Sequence, residues 1–124
     1  MQLVYIAVFG AMGCVSRYLV SGWTYYLVGR GLPYGTLVVN VLGSFLLGVV
    51  MAAGLRSTLF SAELRLGLAV GLLGGFTTFS TFSWETIRML EEGSFLLAGL
   101  NVLLNVAVCL AAVGAGIFLM RQIG

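Results

Sequence analysis

The sequence predicts an all-α membrane protein: four transmembrane helices per subunit, the third of them broken. Three observations predict it. Hydrophobic residues make up 60% of the 124 positions and charged residues only 8%, against about 25% charged in an ordinary soluble domain. Four apolar runs are each long enough to cross the hydrocarbon core, which takes about 20 helical residues. Within the third run, glycines and five hydroxyl residues crowd into "GGFTTFSTFSWE", residues 74–85.

The elements follow in order along one integral membrane domain, 1–124. The first span is expected over roughly 3–28. "MQLVYIAVFG" has no basic segment ahead of its apolar run, so it reads as a retained span and not as a cleaved signal. Arg17 lies well inside this run, about 21 Å from its start at 1.5 Å per residue. Its side chain either reaches back to an interface or faces a wet vestibule that attracts an anion. "GRGLPYG" (29–35), which contains the only proline, separates the first span from the second, expected over 35–55. There Thr36, Asn40 and Ser44 recur every fourth residue and share one face.

"RSTLFSAELR" (56–65) precedes the third span, expected over 64–90, and "RMLEEGS" (88–94) precedes the fourth, expected over 94–120. Gly67, Gly71 and Gly75 on the third span, and Ser44, Gly48 and Ala52 on the second, repeat every fourth residue. Small residues at that spacing let helix backbones approach closely in lipid, where apolar burial gives little drive. They mark the second and third spans as central. On the fourth span, Asn101, Asn105 and Cys109 share a face. Two asparagines at mid-membrane depth either bond between helices, for about 1 kcal/mol each, or line a polar path.

Several function classes are excluded. There is no histidine, and the two cysteines, Cys14 and Cys109, fall within separate spans as small packing residues. No nucleophile–base pair stands out, so the chain reads as a non-enzyme. A net charge of +2 gives no case for a nucleic-acid partner. All six basic residues are arginine. With four spans, Arg56, Arg65 and Arg121 fall on the side of the termini and Arg30 and Arg88 on the other. Three against two is hardly a bias under the positive-inside rule: either the chain inserts both ways, which makes an antiparallel dimer possible, or a small protein with few charges has left them even by chance. Four helices enclose little volume, and a pore forms more easily between subunits.

The third-span cluster supplies the chemistry. "GG" weakens a helix, and nearby hydroxyls can satisfy backbone groups released by a break or leave carbonyls exposed. Exposed carbonyls suit a hard cation such as sodium. Phe79 and Phe82 lie three apart on neighbouring parts of one face. A phenyl ring is positive at its edge, so rings presented edge-on stabilise an anion weakly, as a channel requires. The competing reading makes the rings lipid-facing and the hydroxyls ordinary helix back-bonders.

"GTLVVN" at 35–40 and "GGFTTFSTFSWE" at 74–85 resemble the CrcB/Fluc family of fluoride channels, and the length, the four spans and the even charge fit across the whole chain. The resemblance implies a dual-topology antiparallel homodimer in the cell inner (plasma) membrane, with two pores for fluoride and lipid around it. It implies that Phe79 and Phe82 line the pore, with Asn40 from the second span, Arg17 from the first, and Ser80 and Thr81 beside them. It implies a structural sodium ion at the dimer centre, held by main-chain carbonyls of Gly74 and Thr77 from both subunits. The motif's glutamate matches Glu85. The family's polar track on the fourth span reads here as Asn101, Asn105 and Cys109, followed by Val113. A competing reading is a small dual-topology, proton-coupled multidrug or cation exporter. Such a transporter needs a membrane-embedded acid, and the first span offers Arg17 instead. A third is an assembly protein that transports nothing.

Overall fold

The computed structural model describes residues 1–56 and 60–123. Ser57, Thr58 and Leu59 of the second link and the C-terminal Gly124 lie outside the described residues, as does the side chain of Arg56, one of the arginines of the charge balance. Among the described residues every regular element is a helix. Four are long and apolar enough to cross a membrane: Gln2–Val28, Tyr34–Leu55, Ala62–Glu91 and Phe95–Ile123. The protein is a multi-pass membrane protein, and each span runs within three residues of its sequence-based bounds.

The punctuation works as its chemistry requires. The first helix ends at Gly29, whose φ of 96° places it in the region glycine enters most readily. The third span begins at Ser61, whose hydroxyl accepts from the Leu64 amide (3.1 Å) as an N-cap. It ends at Glu92, followed by Gly93 at φ 81°. Both Gly29 and Gly93 have open space where a Cβ would go, so their selection is conformational and not steric.

The glycine repeats do bring backbones together, and the partners are now specified. The first helix packs against Gly67–Leu73 and Gly74–Phe76; the second packs most extensively on Cys109–Ile123. A Cβ on Gly13 would collide with the Leu72 carbonyl, and a Cβ on Gly48 with the Val113 carbonyl. The second and third spans are the more buried of the four, so they are central, but through contacts with the fourth and first helices in turn. Two stretches, Gly67–Leu73 and Leu104–Val108, are widened to a π-helical turn, a feature often found beside functional sites.

Gly116 and Gly114 provide an internal control on this packing. A Cβ at Gly116 would meet the Phe45 carbonyl, whereas Gly114 has nothing within 4 Å. Gly116→Ala is expected to destabilise the detergent-solubilised protein by about 1–3 kcal/mol through overpacking. Gly114→Ala is expected to be neutral or slightly stabilising. Thermal unfolding followed by size-exclusion chromatography checks both.

Candidate functional site

The third span breaks at Thr77 and Thr78. Gly74–Phe76 is still helical; Thr77 (φ −87°, ψ 160°) and Thr78 (φ −150°, ψ 116°) are extended; the helix restarts over Phe79–Glu91. The glycines are therefore not the breaking residues. Gly75 stays helical because a close approach demands it: a Cβ there would lie 2.8 Å from the Gly10 carbonyl oxygen. The break falls on two threonines, whose branched side chains favour extended backbone and whose hydroxyls replace lost helical partners.

Each end of the break is closed by named groups. On the incoming side, the Thr77 amide and hydroxyl both donate to the Leu73 carbonyl at 3.0 Å. On the outgoing side, Thr78 is the N-cap. Its Oγ1 accepts from the Thr81 amide (3.2 Å) and donates to Thr81 Oγ1 (3.0 Å). Between them, Asn40 grips the Thr78 peptide from both sides. Its Oδ1 accepts from the Thr78 amide (2.8 Å), and its Nδ2 donates to the Thr78 carbonyl (3.1 Å). Arg17 Nε donates to the Gly75 carbonyl (3.1 Å), so this arginine is spent on the break and not on an interface.

These bonds redirect the amides that a continuous helix would return to earlier carbonyls. The Thr78 amide, due to Gly74, goes to Asn40; the Thr81 amide, due to Thr77, goes to its own cap. The carbonyls of Gly74 and Thr77 are thereby released from the helical ladder. Main-chain carbonyl oxygens are suitable ligands for a hard cation, and these are the two carbonyls that the resemblance assigns to sodium. The donor set therefore fits such an ion.

The asparagines meet in one seam across three spans. Asn40 Nδ2 donates its second hydrogen to Asn105 Oδ1 (3.0 Å). Asn105 Nδ2 donates to the Asn101 carbonyl (2.9 Å) and to Asn101 Oδ1 (3.1 Å). Asn101 Nδ2 donates to Thr86 Oγ1 (2.9 Å), which donates to the Phe82 carbonyl (2.8 Å). Asn101 is 2% exposed and Asn105 6%. The asparagines thus bond between helices.

Phe79 and Phe82 stand at the start of the resumed helix, with ring centroids 5.4 Å apart and planes tilted by 51°. Phe82 is buried, at 8% exposure, while Phe79 is 78% exposed. A groove of about 420 Å³ runs beside them, bounded also by Asn40, Ser44, Gly74, Thr77 and Asn105. A second cavity, of about 550 Å³, is lined by Arg17, Tyr25, Arg30, Thr36 and Thr81. Thr78 borders both, so the break lies between the two spaces. Ser80 is exposed, with its Oγ 3.5 Å from Thr78 Oγ1.

Sequence reasoning missed one arrangement. Tyr25 donates its hydroxyl to Glu85 Oε2 (3.2 Å), and the Arg30 guanidinium lies over the Tyr25 ring, 4.3 Å from its centroid. The other Glu85 oxygen is buried with no hydrogen-bond partner among the described residues. The signal was present: Arg17, Ser21 and Tyr25 recur every fourth residue, and all three line the larger cavity.

Four spans, an interrupted third helix and a polar seam around the interruption define a membrane protein built around a hydrogen-bonded break inside one span. Residues 4–117 match the family described as "CrcB-like protein, Camphor Resistance (CrcB)". The chain is 62% identical over 123 residues to a protein of Syntrophotalea carbinolica, covering 99% of this chain and 100% of the relative. It is 62% identical over 118 residues to one of Geobacter sulfurreducens, covering 95% of each, and 57% identical over 123 residues to one of Geobacter metallireducens, covering 99% of each. Each of the three is named "Fluoride-specific ion channel FluC". The chain belongs to the CrcB-like family.

The Thr78 cap makes a separable prediction. Thr78→Val removes the hydroxyl that serves Thr81, and an N-cap loss costs about 1 kcal/mol. Thr78→Ser keeps the oxygen. Unfolding titrated in mixed micelles is expected to show the valine variant destabilised by about that amount and the serine variant close to the parent.

Proposed function

We propose that this protein is a passive fluoride-selective channel that lets fluoride leave the cytoplasm across the inner membrane. The observation that carries this is the match, over nearly the whole chain, to relatives named fluoride-specific ion channel. The geometry supports it. Both amide hydrogens of Asn40 and both of Asn105 are engaged within the protomer. The donors left near the break are weaker: the Thr81 hydroxyl, which lines the larger cavity and whose oxygen accepts from Thr78, the exposed Ser80 hydroxyl, and the positive edges of Phe79 and Phe82. Such a set holds a small anion without trapping it. Asn40 and Asn105 border the same groove as the rings, with Asn101 behind them, and Arg17, held on the Gly75 carbonyl, lends its charge to the larger cavity, where it attracts anions.

No energy source is needed. Hydrogen fluoride crosses lipid as a neutral acid and dissociates in a near-neutral cytoplasm. An inside-negative potential then drives the anion out, by about 2.3 kcal/mol per charge per 100 mV. An exporter's proton-coupling acid has no counterpart in the first span. The one acid deep in a span, Glu85, accepts from the Tyr25 hydroxyl.

The working unit in this reading is an antiparallel homodimer. The even arginine distribution supports it, and so does the exposure of Phe79 and Gly74 in the single protomer, which leaves one side of the path open. Sodium at the centre of that dimer would be held by the Gly74 and Thr77 carbonyls of both subunits and would supply a fixed structural charge there.

Efflux of fluoride from proteoliposomes, with chloride as control, tests the function directly. Wild-type protein is expected to pass fluoride and retain chloride. Phe79→Ile and Phe82→Ile keep apolar bulk but remove the ring edge. Each is expected to slow efflux by roughly a hundredfold, the equivalent of ~3 kcal/mol at the barrier, with the assembly intact by size-exclusion chromatography. Near-parental flux in both variants would dismiss the aromatic path.

The dimer makes its own prediction. Two or three lysines added near the C-terminus impose one orientation. Flux is expected to collapse in that variant and to return when an oppositely biased copy is co-expressed.

A further inference from the structure

We propose that Asn105 and Asn101 are positioning residues, which hold the broken helix at one rotation so that Phe79 and Phe82 face the path; they do not bind the ion themselves. The inference rests on the channel reading and deepens it.

The connectivity of the seam carries the argument. One donor chain runs through it, beside the Asn40 Nδ2 bond that returns to the Thr78 carbonyl. The Thr78 amide donates to Asn40, Asn40 to Asn105, Asn105 to Asn101, Asn101 to Thr86, and Thr86 to the Phe82 carbonyl. The seam therefore starts on the peptide just before the resumed helix and ends in that helix's first turn. It reaches across the second and fourth spans on the way. Both ends belong to the segment that carries the rings, so the seam fixes how that segment is rotated.

Hydrogen counting excludes a direct role. Asn105 has two amide hydrogens, and both go to Asn101. It acts through its oxygen, which anchors the Asn40 amide. The amide torsion of asparagine is broad. Without that anchor, Asn40 is free to turn, and its two-sided hold on the Thr78 peptide is lost. Asn101 is one link further away and fully buried. Thr86 lies one link beyond it and outside both cavities.

Asn105→Leu, Asn101→Leu and Thr86→Val each remove one link with little change in volume. Two readouts are taken on full-length protein: fluoride efflux from liposomes, and hydrogen–deuterium exchange resolved over residues 77–82 with the first helix as reference. Asn105→Leu is expected to cut efflux at least tenfold and to raise exchange over 77–82 alone. Asn101→Leu should do the same more weakly, and Thr86→Val by about threefold. Thr86→Val is the mildest change and serves if the leucine variants do not assemble.

Reduced efflux with unchanged exchange over 77–82 would mean that the asparagines touch the ion, and would overturn the proposal. Exchange raised throughout the protein, or unchanged in both readouts, would overturn it as well. If wild-type protein passes no fluoride, the channel reading fails, and the exchange pattern still decides whether the seam holds the helix.

Discussion

A helix interrupted inside a membrane must satisfy its freed backbone groups without water, since each one left bare in hydrocarbon costs several kcal/mol. Most of the polar chemistry of this protein answers that demand at Thr77 and Thr78. Asn40 takes both faces of the Thr78 peptide, Arg17 takes the Gly75 carbonyl, and the Thr78 hydroxyl takes the Thr81 amide. An unbroken third span would leave Asn40 without its two backbone partners. The intramembrane polar residues and the break are thus one feature, each stabilising the other.

The demand also explains why two carbonyls stand apart. Donors are supplied for Gly75 and Thr78, while the partners of Gly74 and Thr77 are diverted. Backbone carbonyls left bare in hydrocarbon are costly unless something else arrives. A cation shared with a second copy of the chain would satisfy four carbonyls at once, which ties the sodium proposal and the dimer proposal to the same structural cause.

Much of the fold was legible because the bilayer constrains it so strongly. An apolar run of about 20 residues has few alternatives to a spanning helix, and the four spans lie where composition put them. The break was legible in kind but not in place. "GG" suggested it, yet Gly74 and Gly75 remain helical and the threonines bend the chain. In lipid, small residues serve close packing as readily as flexibility, and sequence alone does not separate the two. Spacing showed that Asn101 and Asn105 share a face with each other, and that Thr36, Asn40 and Ser44 do too. It could not show that the two faces meet, nor which atom donates. The Tyr25–Glu85 bond joins residues 60 positions apart, and only its Arg17–Ser21–Tyr25 face was open to periodicity.

Weak coordination is the consequence that matters for transport. A path lined by free asparagine amides would bind an anion strongly through several aligned donors, and release would become slow. Here those amides are consumed by the seam, and Phe79 and Phe82 line the groove beside them. Ring edges offer a shallow, short-range attraction, and an ion that gains little on entry loses little on leaving. In the proposed channel the strong hydrogen bonds would hold geometry, and the weak ones would be left for the ion. A rigid wall would also favour a small anion over a large one, because widening the gap for chloride would require breaking several hydrogen bonds that run through three spans together.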